Sequence, residues 1–171
     1  MRYKRLFAVC AAIATFTAAV LFVFAFNGRY LILSNQATGV MLFYTEISEM
    51  ESFSVSYVHS VNKSPVTEYY VIEDTEIYLT AMRFSAFGAG IPEQAGEGQT
   101  MRIEEDGMVI DGFSRHIPYL CYFIGRTANH TLWWRGGSIP LDTLDEPGQP
   151  VLFTVTKCPR LLMVLKEVSA R

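Results

Sequence analysis

The chain holds three cysteines in 171 residues, with no Cys-x-x-Cys or His-x-x-x-His spacing, and its three histidines, His59, His116 and His130, are far apart. A clustered metal site therefore has no ligand set to draw on, His116 and His130 read as loop residues, and no cofactor is expected. No Gly-x-Ser-x-Gly elbow is present, which removes one route to a nucleophilic serine. Basic charge is scarce: 14 Lys and Arg stand against 17 Asp and Glu. Three of the basic residues, Arg2, Lys4 and Arg5, precede the uncharged run Leu6–Phe26 and all 17 acidic ones follow it, so the rest of the chain carries 11 basic against 17 acidic groups, a formal charge of −6. Nucleic-acid-binding domains need a basic footprint, and this composition excludes one. There is no internal repeat, no low-complexity tract, and no helical period beyond the first 26 residues.

What is present begins with 21 uncharged residues, Leu6 to Phe26, behind the basic cluster. At ~1.5 Å per residue, a helix of this length matches the ~30 Å hydrocarbon core of a bilayer. The apolar region of a signal peptide is shorter, ~7 to 15 residues, and ends in small residues. This run ends in Phe22-Val23-Phe24-Ala25-Phe26 and reads as an uncleaved anchor. The basic cluster places residues 1–28 as a cytoplasmic start plus transmembrane segment and residues 29–171 as an extracytoplasmic domain. Cys10 falls inside the span. Cys121 and Cys158 fall in the exported part, where they either form a disulfide or stand as two separately buried thiols.

Beyond the span, short apolar and β-branched runs recur with turn signals about every ten residues. Tyr30–Leu33 and Val40–Tyr44 flank a loop, Ile77–Phe84 follows the turn Glu73-Asp74-Thr75-Glu76, and Asp106-Gly107 joins Met101–Ile103 to Met108–Ile110. Tyr119–Gly125, Thr131–Arg135 and Val151–Thr156 are further strands, and Leu161–Val168 is a strand or a short helix. The expected fold is all-β, a single sandwich or barrel-like exported domain after one N-terminal transmembrane helix. Trp133 and Trp134 must point to opposite faces of their strand, one into the core and one outward.

The most unusual chemistry lies between Tyr57 and Glu93. Phe53, Val55 and Tyr57 alternate with serines before His59-Ser60, and Tyr69-Tyr70-Val71-Ile72 follows Pro65, so two strands flank a polar loop. Pairing Val55 with Ile72 and Tyr57 with Tyr70 sets His59 opposite Glu68, a clasp across the loop mouth. A one-residue slip sets His59 against Thr67 and satisfies the apolar pattern equally; the first register gives the histidine a carboxylate partner. His59, Ser60 and Glu68 fall short of a catalytic triad, because adjacent strand residues face opposite ways. A pinned loop carrying Asn62, Lys63 and Ser64 is instead a recognition surface. Phe87-Gly88-Ala89-Gly90-Ile91-Pro92 reads as a glycine loop that lets the chain leave a strand close to other backbone, with an anion nest as the second reading.

His59-Ser60-Val61 with Ser64-Pro65-Val66-Thr67-Glu68, followed by Phe87-Gly88-Ala89-Gly90-Ile91-Pro92, resembles the two signatures of the bacterial domain of unknown function 1850 family. The resemblance covers roughly Leu31 to Thr156, with Ile91 where family members usually carry Leu. It implies a small protein anchored in the bacterial inner membrane, its C-terminal domain periplasmic or extracellular. It also implies association with the permease of a TAXI-type TRAP transporter for small organic anions, and no established activity. The site residues are then His59, Ser60, Asn62, Lys63, Pro65, Glu68, Phe87, Gly88, Gly90, Pro92 and Glu93, in binding or structural roles. The expected function is an accessory or interaction subunit. An independent small-ligand-binding β domain is the second reading and a hydrolytic enzyme the third.

Overall fold

The computed structural model describes residues 2–25, 27–88, 90–163 and 165. A helix α1 (Arg2–Ala25) precedes eleven strands: β1 (Asn27–Asn35), β2 (Met41–Ile47), β3 (Ser52–Val58), β4 (Pro65–Glu73), β5 (Glu76–Phe84), β6 (Thr100–Glu104), β7 (Gly107–His116), β8 (Leu120–Phe123), β9 (Thr131–Trp134), β10 (Gly137–Pro140) and β11 (Pro150–Pro159). A 3-10 turn, Leu141–Thr143, follows β10. Residues 160–163 are helical, which settles the C-terminal segment in favour of helix as far as it is described.

Two compact units divide the chain: residues 30–156, and residues 1–29 with 157–171. In the second unit, α1 is continuous for 24 residues. Phe26 and the side chains of Leu6 and residues 22–25 lie outside the described set. Among the described residues, no helix is long and apolar enough to cross a membrane.

In the larger unit the strands form a four-stranded sheet in the order β2-β1-β11-β8 and a seven-stranded sheet in the order β10-β9-β3-β4-β5-β7-β6. The strand pairs of the seven-stranded sheet, and β11 with β8, are antiparallel, as expected for strands joined by short turns. The core is built where the period-2 patterns of the two sheets face each other. Leu31 and Leu33 from β1, Val151 and Phe153 from β11 and Leu120 from β8 meet Phe53, Val55, Tyr70, Ile72, Leu79 and Leu132. The rings of Phe53, Tyr70 and Phe153 stack at 5.1 and 5.9 Å between centroids. This sandwich-like all-β arrangement agrees with the alternation read from the sequence. The tryptophans divide as the strand geometry demands: Trp134 packs against the core and Trp133 is 47% exposed.

A smaller core of Val66, Met82, Phe84, Ile91 and Ile110 fills one end of the large sheet. It exists because the segment after β5 folds back and inserts Ile91. On the outer face above Val109, Arg83 binds Glu104 and Asp106 at 2.5 and 2.7 Å, and Arg102 binds Asp111, so edge strand β6 is held by ion pairs. The expected hairpin at Asp106-Gly107 is present, but β7 runs on to His116 because it bulges: Leu79 faces Arg115 while Ala81 faces Asp111. Gly112 lies in this bulge at φ +82°, and a Cβ there would come 2.5 Å from the Gly98 carbonyl oxygen. Gly112→Ala should therefore lower stability by about 2 kcal/mol or more, through strain at positive φ and displacement of the Gly98 backbone. Urea unfolding of the two proteins measures this; equal midpoints would mean the approach at Gly98 is not held in solution.

Candidate functional site

The link between β3 and β4 is tighter than the sequence reading allows. His59 N donates to Ser64 O at 2.8 Å and Lys63 N donates to His59 O at 3.0 Å, so four residues, Ser60–Lys63, make the turn. Lys63 takes the left-handed conformation, φ 54°, that closes it. Pro65 opens β4 opposite Val58. Asn62 organises the loop from within: its Oδ1 accepts the Ser64 N–H at 3.2 Å and the Ser64 hydroxyl at 2.7 Å. Its Nδ2 reaches out of the loop and donates to the carbonyls of Ala86 and Phe87, both at 3.1 Å.

One amide thus joins the two sequence motifs, 24 and 25 residues apart. The glycine loop is shaped to receive it, since a Cβ on Gly88 would sit 2.8 Å from Asn62 Nδ2 and 3.6 Å from the His59 ring. Beyond Gly88, Ile91 N donates to Gly88 O at 3.0 Å, Gly90 is at φ +83°, and the buried Ile91 side chain anchors the segment. Ser60, Val61, Lys63, Pro65, Phe87, Gly90 and Glu93 remain exposed around the junction, and Pro92 is half-buried. Val61 is 69% and Phe87 46% exposed. His59 Nδ1 accepts the Val61 N–H at 3.3 Å.

The expected clasp between His59 and Glu68 is not formed. β3 and β4 pair Phe53 with Tyr70, Val55 with Glu68 and Tyr57 with Val66, four residues away from the favoured register and incompatible with the slipped one. The reason is the short turn, which needs only Ser60–Lys63 where the expected pairing left a loop extending to Thr67. Because the shift is even, Glu68 keeps the inward face, and it lies between Val55 on β3 and Met82 on β5.

Tyrosines satisfy that carboxylate. The Tyr70 hydroxyl donates to Glu68 Oε2 at 3.0 Å, the Tyr122 hydroxyl from the facing sheet donates to the same oxygen, and the two hydroxyls are 2.7 Å apart. Tyr57 completes the group, its ring 6.0 Å from Tyr122 and 5.4 Å from His130 between centroids. Burial and then the Glu68 charge push the phenols of Tyr57, Tyr70 and Tyr122 well above their ordinary range. His130, read as a loop residue, is half-buried against these rings just before β9, and burial lowers its pKa. His130 thus lies in a loop, as read, whereas His116 is misplaced by that reading. It ends β7 and contacts Glu76 at 2.5 Å.

Tyr57, Tyr70, Tyr122 and His130 were thus missed. The available signal was Glu68 itself, a carboxylate at an inward position between Val66 and Tyr70. Cys121, opposite Leu152 in register, and Cys158, near the end of β11, are each free thiols. No group of His, Cys, Asp and Glu able to hold a metal occurs among the described residues.

Raised phenol pKa values favour the neutral form in the folded protein. That contribution is complete below about pH 10, the unfolded value, and is lost as pH rises through the folded values. A lowered His130 also favours its neutral form, with a contribution complete above about pH 6.5 and lost as pH falls through the folded value. Stability should form a plateau between these limits. Tyr122→Phe should lower the plateau by about 1–3 kcal/mol, since Glu68 and Tyr70 each lose a buried partner. Chemical unfolding across pH measures both effects, and an unchanged plateau in the variant would remove the network as a source of stability.

No curated protein matches the chain, and no solved structure does. A family model described as "Domain of unknown function (DUF1850)" matches residues 53–141. The matched region runs from β3 to the 3-10 turn and contains both joined loops, Glu68, Tyr57, Tyr70, Tyr122 and His130. With half of its length matched, the chain belongs to the DUF1850 family.

Proposed function

We propose that the protein is a membrane-anchored extracytoplasmic interaction subunit that docks onto a membrane partner through the joined loops His59–Pro65 and Phe87–Glu93. The observation that carries this reading is the Asn62 bridge, which ties a polar loop and a glycine-bearing loop into one surface. Ordering loops before binding removes part of the entropy that association otherwise costs. The surface presents two apolar groups, Val61 and Phe87, beside the opposite charges of Lys63 and Glu93, the mixture of an apolar centre and polar rim that protein partners use.

The uncharged run Leu6–Phe26 behind Arg2, Lys4 and Arg5 supports an inner-membrane anchor with the β domain on the outer side. Tethering holds the domain at high effective concentration near any membrane partner, so a weak interface is sufficient. The family resemblance supports the permease of a TAXI-type TRAP transporter as that partner, with small organic anions as the cargo of the permease. A hydrolase has less support, because His59 Nδ1 already accepts a backbone N–H.

A tagged copy purified in mild detergent should bring down the permease and stay with membranes through an alkaline wash. Val61→Asp and Lys63→Glu should each cut recovery several-fold without moving the unfolding midpoint, since both side chains are exposed. Undiminished recovery with both variants would place the interface elsewhere. Unchanged anion uptake and permease abundance after deletion, with nothing co-purifying, would end the accessory reading.

A further inference from the structure

The outer face of the seven-stranded sheet carries an open groove of about 550 Å³ on the side opposite the core. Such a volume lies within the roughly 300–1,000 Å³ of small-molecule sites. Its form follows from register. Trp133 on β9 pairs with Ser54 on β3, Ser54 pairs with Tyr69 on β4, and Tyr69 pairs with Ala81 on β5, so these four side chains make one row on one face. The aromatic members are two strands apart, about 10 Å at the backbone. Between them the floor is low, made of Ser52 and Ser54 on β3, and Ala81 extends it beyond Tyr69 on β5.

We propose that this groove binds a neutral saccharide, a pyranose ring packing its C–H face against Trp133 and Tyr69 while its rim hydroxyls meet the serine floor. Three features select that class. First, the indole is held before any ligand arrives: Trp133 Nε1 donates to Ser56 Oγ at 2.7 Å while the side chain stays 47% exposed. A fixed aromatic surface of this kind suits the apolar face of a sugar. Second, hydroxyls supply the floor and wall. The Ser52 and Ser54 side chains can donate or accept, and Thr80 Oγ1, which donates to Tyr69 O at 3.1 Å, keeps its lone pairs for accepting.

Third, the groove is balanced in charge. Arg135 borders it, but Glu51 holds the guanidinium through contacts of 2.5 and 2.8 Å while it lies over the Trp134 ring, 4.0 Å from the centroid. An anionic ligand would have to compete with Glu51, whereas a neutral polyol would not. The groove shares no residue with the joined loops, so its test and that of the docking surface fail independently.

The experiment titrates the full-length protein, in a detergent without a sugar headgroup, with chitotriose, cellotriose and maltotriose, read by calorimetry and indole fluorescence. At least one trisaccharide should bind saturably, with Kd on the order of 1 mM or tighter. Trp133→Ala removes the aromatic surface, and Ser54→Tyr fills the floor beside Trp133 while keeping the indole in the chain; each should weaken binding about tenfold, with thermal unfolding showing that both variants fold. Absence of binding by all three sugars would overturn the proposal. So would binding that survives both substitutions, or benzoate occupying the groove more tightly than any of the sugars.

Discussion

A carboxylate on the inner face of a β-sheet constrains everything placed opposite it. Glu68 sits in a row with Val55 and Met82, where losing water costs several kcal/mol unless the charge is hydrogen-bonded. Tyr70 supplies one bond from the same strand, and Tyr122 supplies another from the opposing sheet. Apolar packing between sheets tolerates sliding, because Leu, Val and Phe exchange neighbours at small cost. A shared oxygen atom tolerates far less, so this cluster fixes where β8 lies over β4. It also fixes the end of β3, whose Tyr57 ring packs on Tyr122 and His130 just before the polar turn begins. The loops at that end of the sheet inherit their position from Glu68.

The sequence made the β architecture legible because each strand carries its own period-2 pattern. The central strands, the Asp106-Gly107 hairpin and the opposite facing of Trp133 and Trp134 follow from local rules alone. Strand β10, Gly137–Pro140, was invisible for the same reason: Gly-Ser-Ile-Pro has no pattern, and the strand exists because β9 turns back through two residues at positive φ, Arg135 and Gly136. The register of β3 against β4 was not legible, since apolar alternation repeats every two residues and the right pairing differs from the favoured one by four. What fixes it is the Asn62 side chain taking up the Ser64 N–H, which lets a four-residue turn close.

The site was half legible for a related reason. Residues adjacent in sequence, such as His59, Ser60 and Asn62, could be grouped from spacing. That Asn62 meets Ala86 and Phe87 depends on β4 and β5 carrying the chain away and back, and on Ile91 anchoring the return in the smaller core. Tyr122 and His130 join Glu68 only through the stacking of two sheets, a contact with no counterpart in local pattern. The cluster is tertiary in origin and the loop is local, which is why one was missed and the other found.

Lys63 and Arg135 are two of five non-glycine residues at positive φ among the described residues, and their surroundings differ. Lys63 and Arg135 each carry a left-handed strain of about 1–2 kcal/mol. Arg135 offsets its strain inside the domain, through both oxygens of Glu51 and the face of Trp134. Lys63 is exposed at the tip of the joined loops, directing a cation away from the scaffold that holds it. The left-handed backbone at Lys63 closes the turn, and its outward side chain is presented to whatever meets the loops. Arg135 therefore belongs to the architecture around the groove, and Lys63 to the surface proposed for docking.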